Sequence, residues 1–185
     1  MISIQPIVRY FEKTIVYFPA FLRWYMGNFK EIVKREIDLA NINKSDSVLH
    51  IGSGSVPYTA IHVNQMTDAS VVSIDIDSSA LKLSKRAIKA SKFKGNVVLK
   101  KGNGTIFPLE QFTVIIISLH AQPKKEILEH IWSNGKKDVR IVIRNPCQAY
   151  KDKYDEGIEP FSCIKKVTQP MVTFKHSTLL ARSEN

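Results

Sequence analysis

The chain has 185 residues, of which 44% are hydrophobic and 24% charged, a length and mix that give one globular domain able to bury a full core without a disulfide or metal staple. Its 27 Lys and Arg against 17 Asp and Glu leave a formal charge of +10. That balance favours anionic partners such as nucleic acid, phosphorylated substrates or a membrane surface, and selects none of them. The most apolar early stretch, Thr14 to Leu22, contains Pro19. It is too short for a span of about 20 residues and lacks the form of a signal peptide. Cys147 and Cys163 form no CxxC pair and no zinc-ligand spacing with histidine, so two reduced thiols, no metal centre and a cytoplasmic location are expected.

Residues 1–44 read as a helical segment with breaks near Pro19 and Gly27–Asn28. Phe29, Ile32, Val33, Ile37 and Ala40 recur at spacings of three and four, an apolar helix stripe, while Lys30, Glu31, Lys34, Arg35 and Asp38 fill the opposite face. The part before it is aromatic-rich, from Tyr10 through Phe21 to Tyr25. Packing on the sheet is its simplest reading; a lid over a site, the arm of a homodimer and a membrane-surface helix are the others.

From Ser47 the pattern changes to residues 45–185 of alternating strands and helices. Short apolar runs at Val48–Gly52, Val71–Asp75, Asn96–Gly102, Val114–Leu119 and Val139–Arg144 alternate with helical stretches at Tyr58–Met66, Ser78–Ser91 and Lys124–Ser133. This alternation predicts a parallel sheet covered on both faces. Ser162–Gln169 and Val172–Arg182, parted by Pro170–Met171, read as an antiparallel pair closing the sheet. The expected fold is therefore α/β, a doubly wound, mostly parallel seven-stranded sheet with an N-terminal helical extension.

The strongest local signal is VLHIGSGSVPYTAI, residues 48–61. A buried strand runs into Gly52-Ser53-Gly54 and then into a helix. Glycines permit positive φ and let a ligand approach the backbone, and a helix start attracts anions. Such a turn suits a dinucleotide pyrophosphate or the methionine carboxylate of S-adenosylmethionine (SAM). The dinucleotide fingerprint wants glycine or alanine three positions after its second glycine, where this chain has Pro57. Asp75 closes the second strand 21 residues after Gly54, where a carboxylate accepts hydrogen bonds from two ribose hydroxyls. Asp77 is expected to cap the helix that follows. Asn103, in KKGNGT, is placed to accept from an adenine amino group or to shape a turn.

The order GSG, acidic strand end, GNG, VIIISL and closing antiparallel pair resembles the class I SAM-dependent methyltransferase fold over residues 45–182. The resemblance implies SAM as cofactor, contacted by Gly52, Ser53, Gly54, Asp75, Asn103 and Ser118, and an acceptor seated beyond the fourth strand. The chain departs from the family's usual GxGxG with Ser55-Val56-Pro57, and from its usual GDA or GDG with Asn103. The first loop is similar to the IGSG-x-x-P-x-T-[SA]-I run of nicotianamine synthases, at Gly52, Ser53, Gly54, Pro57, Thr59 and Ile61. Those enzymes transfer the aminocarboxypropyl arm of SAM rather than its methyl group. Methyl transfer to an unidentified acceptor is the first expectation. Aminocarboxypropyl transfer and a non-catalytic SAM-binding partner subunit are the alternatives.

SAM carries an activated sulfonium, so positioning and proton removal are what a protein adds. His120 is a candidate base and Tyr58 a candidate contact to SAM or acceptor; a surface histidine and a helix-start packing tyrosine are the plainer readings. The chain has no (N/D)PP(Y/F) run. His50, inside the first strand, reads as a satisfied core residue, while His62, His130 and His176 show no evident partner. Lys82, Lys85, Arg86, Lys89 and Lys92 share one helix face. A solvated face is favoured over a nucleic-acid surface, because the helix has no interleaved aromatics for base stacking.

Overall fold

The computed structural model describes the backbone of residues 4–146, 161–171 and 174–182, and side chains from residue 10 onward. Three helices come first: α1 (Ile4–Ile15), α2 (Pro19–Gly27) and α3 (Lys30–Ala40). Pro19 opens α2, at the first helical position where its missing N–H costs nothing. Then follow β1 (Ser47–Ile51), α4 (Tyr58–Thr67), β2 (Ser70–Asp75), α5 (Ser78–Ser91), β3 (Val97–Lys101), β4 (Val114–Ile117), α6 (Lys124–Asn134), β5 (Arg140–Pro146), β6 (Phe161–Thr168) and β7 (Phe174–Arg182). Asp77 caps α5 as expected, its carboxylate accepting from the Ser79 N–H at 2.8 Å.

The seven strands form one sheet in the order β3-β2-β1-β4-β5-β7-β6. The first five run parallel, β7 lies antiparallel to β5, and β6 lies antiparallel to β7. The fold expected from the sequence is the one observed. β6 is the outer member of the closing pair and carries the exposed Cys163; Cys147 lies outside the described residues.

Side-chain parity along the strands divides the core. On β4, Val114 and Ile116 join Val33, Ile37, Ala60 and Val63 of α3 and α4 on one face. Ile115 and Ile117 join Ile127, Leu128 and Ile131 of α6 on the other. Near-continuous burial of β1, β4 and β5 follows from this two-sided covering. The first helices also take part. Ile15, Val16, Leu22 and Met26 pack on Val56, Ile61 and Ala87. The histidines His62 and His130 do have partners: Nε2 of His62 lies 2.9 Å from the Met26 carbonyl and Nε2 of His130 lies 2.8 Å from the Phe107 carbonyl. Sequence spacing hides both contacts because each bridges distant segments.

One buried ion pair ties α3 to β5. Arg144, 2% exposed, donates from Nε and from one terminal nitrogen to the two carboxylate oxygens of Glu36, 0% exposed, at 2.8 and 2.7 Å. The same terminal nitrogen reaches Thr59 Oγ1 at 2.9 Å, and Ser177 Oγ donates to Glu36 at 2.7 Å. Gln169 donates to Ser177 at 2.9 Å, and Lys124 donates to the Arg144 carbonyl at 3.1 Å. Burial lowers the guanidinium pKa, and the adjacent Glu36 charge overrides it to give a net raise. Removing one partner of such a pair leaves an uncompensated buried charge. Arg144→Met should therefore cost about 3–5 kcal/mol in urea unfolding, whereas the double change Glu36→Leu with Arg144→Met should cost less than half of that. Equal costs for the single and double variants would show that the pair is not the source of the loss.

Candidate active site

A cavity of about 520 Å³ opens at the carboxyl ends of β1, β2 and β4, at the switch point where the strand order reverses between β1 and β4. Its volume suits a nucleoside-sized ligand. Gly52, Ser53, Gly54, Asp75, Asn103, Ser118, Tyr58 and His120 all line it, so one cavity gathers every site residue named from sequence.

The glycine loop is fastened on several sides. Gly52 and Ser53 both donate their N–H to the Ile74 carbonyl at 2.9 Å. Gly54 N–H donates to Asp75 Oδ2 at 2.8 Å. Ser118 Oγ donates to the Gly52 carbonyl at 3.0 Å, and Ser84 Oγ to the Gly54 carbonyl at 2.6 Å. Gly52 has φ +92° and Gly54 φ +64°, the left-handed region that favours glycine. A Cβ on Gly52 would lie 3.0 Å from Ser118 Cβ. The three loop amides are thus spent on the second strand and its terminal aspartate, not held open for a ligand.

Asp75 faces the cavity with its carboxylate half used. Oδ2 takes the Gly54 N–H and Oδ1 takes the Asp77 N–H at 2.9 Å, and each oxygen keeps a further lone-pair direction. The Asn103 side-chain oxygen accepts the Thr105 N–H at 3.1 Å, so this residue shapes its turn while lining the cavity. Beneath the loop, His50 bridges Ser73 Oγ and Ser118 Oγ, each at 2.8 Å. Because Ser118 donates onward to Gly52, the consistent assignment is Nε2–H donating to Ser118 and Nδ1 accepting from Ser73. Burial, with help from Arg144, lowers the His50 pKa to about 3. The imidazole is a neutral strut, as its place inside a strand implied. His120 sits exposed at the cavity rim.

The N-terminal helices supply the remaining wall. Glu12, Lys13, Tyr25 and Phe29 line the cavity. Tyr25 Oη donates to Glu12 Oε1 at 3.0 Å, and the Tyr25 pKa is raised by burial and then by the Glu12 charge. Glu12 Oε2 lies 3.6 Å from where a Cβ on Gly54 would stand, so a carboxylate faces the glycine loop across the cavity. Phe29 stacks on Tyr58 with centroids 4.0 Å apart, and the Arg144 guanidinium lies 5.9 Å from the Tyr58 centroid and 5.6 Å from that of Phe174. Burial pushes the Tyr58 hydroxyl up to about 12 against the opposing pull of Arg144. Sequence reasoning missed Glu12, Tyr25, Phe29 and Arg144 as site residues. One signal was available for the first: Glu12 is the sole carboxylate in residues 1–30, set among aromatics.

Residues 42–175 match a family model described as a methyltransferase domain. The chain belongs to that methyltransferase-domain family. A curated relative, L-histidine 2-aminobutanoyltransferase of Pseudomonas aeruginosa, is 23% identical over 168 residues, spanning 85% of this chain and 62% of its own length. Among solved structures, a glutamate-to-glutamine variant of the nicotianamine synthase MtNAS, in complex with S-adenosylmethionine, superposes with TM-score 0.81 at 19% identity. The match covers 95% of this chain and 72% of that one. MtNAS in complex with MTA and tNA gives TM-score 0.78 at 22% identity, over 89% of this chain and 64% of that one. An RNA methyltransferase from Salinibacter ruber, in complex with S-adenosyl-L-homocysteine, gives 0.65 at 17% identity, over 84% and 93%. The chain therefore spans about three fifths of the curated relative, and these solved structures establish the methyltransferase-family fold.

The neutral His50 strut has a pH signature. Unfolded His50 takes up a proton near its ordinary 6.5, whereas the folded residue does so near 3. The unfolded state binds more protons between those values, so stability falls as pH drops through that window. His50→Gln should flatten the fall by up to about 1.4 kcal/mol per pH unit, read from urea midpoints at pH 4, 5 and 6 on wild type and variant. Parallel pH dependences would mean that His50 titrates normally.

Proposed function

We propose that this chain is a SAM-dependent transferase that moves the aminocarboxypropyl arm of SAM onto an amine acceptor. The carrying observation is the Glu12–Tyr25 pair facing the glycine loop. In this reading Asp75 accepts from the ribose hydroxyls, Asn103 and Gly104 border the adenine, and Ser118 and the Gly52–Gly54 backbone border the methionine arm. The acceptor amine attacks the methionine Cγ; the Cγ–S bond breaks, its electron pair stays on sulfur, and methylthioadenosine leaves neutral. The attacking nitrogen gains a positive charge and gives its proton to Glu12, a general base held by the Tyr25 hydroxyl. Phe29, Tyr58 and the Arg144 guanidinium wall the acceptor side and exclude water. His120, exposed at the rim, is the second candidate base.

Several likenesses support this reading: the G-S-G-x-x-P-x-T run from Gly52 to Thr59, the higher superposition on MtNAS than on the RNA methyltransferase, and the name of the curated relative. A second reading is methyl transfer, favoured by the description of the family model. There the acceptor attacks the methyl carbon and S-adenosylhomocysteine leaves. Residues 45–185 serve as the SAM-binding body in both readings, with residues 1–44 completing the acceptor side.

Product analysis separates the readings. Incubation with SAM and a panel of amino acids, followed by mass spectrometry, should yield methylthioadenosine and an acceptor heavier by the aminocarboxypropyl group. S-adenosylhomocysteine as sole product would install methyl transfer instead, and SAM binding with neither product would indicate a partner subunit. Glu12→Gln should lower kcat by about 100-fold or more while leaving SAM affinity within about tenfold. Asp75→Ala should weaken SAM binding by about 1–3 kcal/mol, the cost of lost hydrogen bonds to a charged acceptor, measured by calorimetry.

A further inference from the structure

The outer side of the first two helices is unusually apolar for an exposed surface. Tyr17 is 53% exposed, Phe18 59%, Phe21 46% and Trp24 60%. Their inward neighbours Leu22 and Met26 already fill the core, so these rings lie outside it. Phe21 stacks on Trp24 at 5.1 Å and 11°, and Phe11 meets the edge of Phe21 at 6.0 Å. Phe11, Phe21 and Trp24 make a contiguous aromatic cluster, and Tyr17 and Phe18 lie exposed in the turn that precedes α2, a surface of the kind that marks a binding site.

A cationic helix adjoins the patch. From Ser78 to Leu109 the sequence holds Lys82, Lys85, Arg86, Lys89, Lys92, Lys94, Lys100 and Lys101 and no Asp or Glu. Lys82, Lys85, Arg86 and Lys89 are exposed on α5. The two surfaces meet directly: the Arg86 guanidinium sits 4.2 Å over the Tyr17 ring, and Arg23 Nη1 donates to the Ala90 carbonyl at 3.4 Å. The sequence of α5 alone has no interleaved aromatics; the fold places Tyr17, from the turn before α2, against it.

We propose that this aromatic edge and the adjoining cationic face dock the protein on an anionic membrane surface. Aromatic side chains beside Lys and Arg are what an interfacial element needs: rings enter the headgroup boundary while cations meet acidic lipids. No helix among the described residues is long and apolar enough to cross a membrane, and the surface proposed here meets the bilayer at its headgroup boundary. Charge argues against a second copy as occupant, since two such surfaces repel. Ring geometry argues against a single nucleic-acid strand. Base stacking needs open ring faces, and here Phe21 and Trp24 each give one face to the other while Arg86 takes one face of Tyr17. Phe11 also contacts Tyr25 at 5.5 Å, and Glu12 and Lys13 line the cavity. Docking thus brings the cavity mouth beside the bilayer.

The test is co-sedimentation of the full chain with vesicles of phosphatidylcholine and phosphatidylserine, with phosphatidylcholine alone, and a parallel titration of labelled polyuridine RNA. The protein should bind the mixed vesicles, bind phosphatidylcholine alone at least about tenfold more weakly, and release as salt is raised. Phe18→Ser with Trp24→Ser, and separately Lys82→Glu with Lys85→Glu and Lys89→Glu, should each cut vesicle binding by about tenfold or more. Calorimetry should show the SAM affinity of the variants equal to wild type, which certifies that they fold. No binding to mixed vesicles overturns the proposal, and so does binding that survives the Phe18 and Trp24 changes. RNA binding tighter than vesicle binding and lost in the same variant would assign the patch to a nucleic-acid strand. A wild-type dimer in light scattering that becomes monomeric in that variant would assign it to a second copy.

Discussion

The Glu36–Arg144 pair is the constraint on which the rest hangs. Two charges at 0% and 2% exposure are tolerable only because their hydrogen-bonding capacity is met with good geometry. Meeting it demands that α3, the start of α4, β5 and β7 come together at one point. Glu36 comes from α3, Thr59 from α4, Arg144 from β5 and Ser177 from β7. A hydrophobic substitute would fill the same space without fixing those four elements in register. The pair also places a guanidinium behind Tyr58 and Phe174, so the demand that organises the core sets the polarity of the cavity wall.

A second constraint works on the opposite side of the cavity. The carboxylate of Asp75 caps its own loop and clamps Gly54 of the neighbouring loop. With the Ile74 carbonyl already taken by Gly52 and Ser53, the loop after β1 is a rigid shelf hung from the end of β2. Preorganisation of this kind lowers the ordering cost of a ligand. It also explains why φ is positive at Gly52 and Gly54: the chain must turn twice within three residues to present its amides to β2, and any Cβ at Gly52 would meet Ser118. His50 completes the shelf from below, holding Ser118 against the Gly52 carbonyl through a chain of neutral hydrogen bonds.

The sheet was legible in the sequence because its signals are local. Five apolar runs at regular spacing and a closing pair around Pro170 determine strand number and direction, and buried strands read as apolar regardless of partner. The glycine shelf and Asp75 were legible for the same reason, since a turn after a strand and an acid at the end of the next are short-range patterns. Glu12, Tyr25, Phe29 and Arg144 were not, because each earns its place through a contact across the fold. In the sequence Arg144 merely ends an apolar run, and only Glu36, 108 residues earlier in the chain, identifies it as a paired buried cation. The partners of His62 and His130 are hidden from the sequence for the same reason, since each ring meets a carbonyl of a distant segment.

The first helices carry two duties that pull on the same residues. Leu22 and Met26 on α2, with Ile15 and Val16 just before it, fill the cluster against Val56, Ile61 and Ala87, which is the work of a core. Glu12 and Tyr25, interleaved with them along the same stretch, face the cavity. A helix has enough faces to do both only if the third is left to solvent, and that third face is where Phe18, Phe21 and Trp24 emerge. The same segment therefore both covers the core and walls the cavity. Opening such a segment would expose the cluster under α2 along with the cavity, so the Glu12 and Tyr25 wall is tied to the packing of the core that it covers.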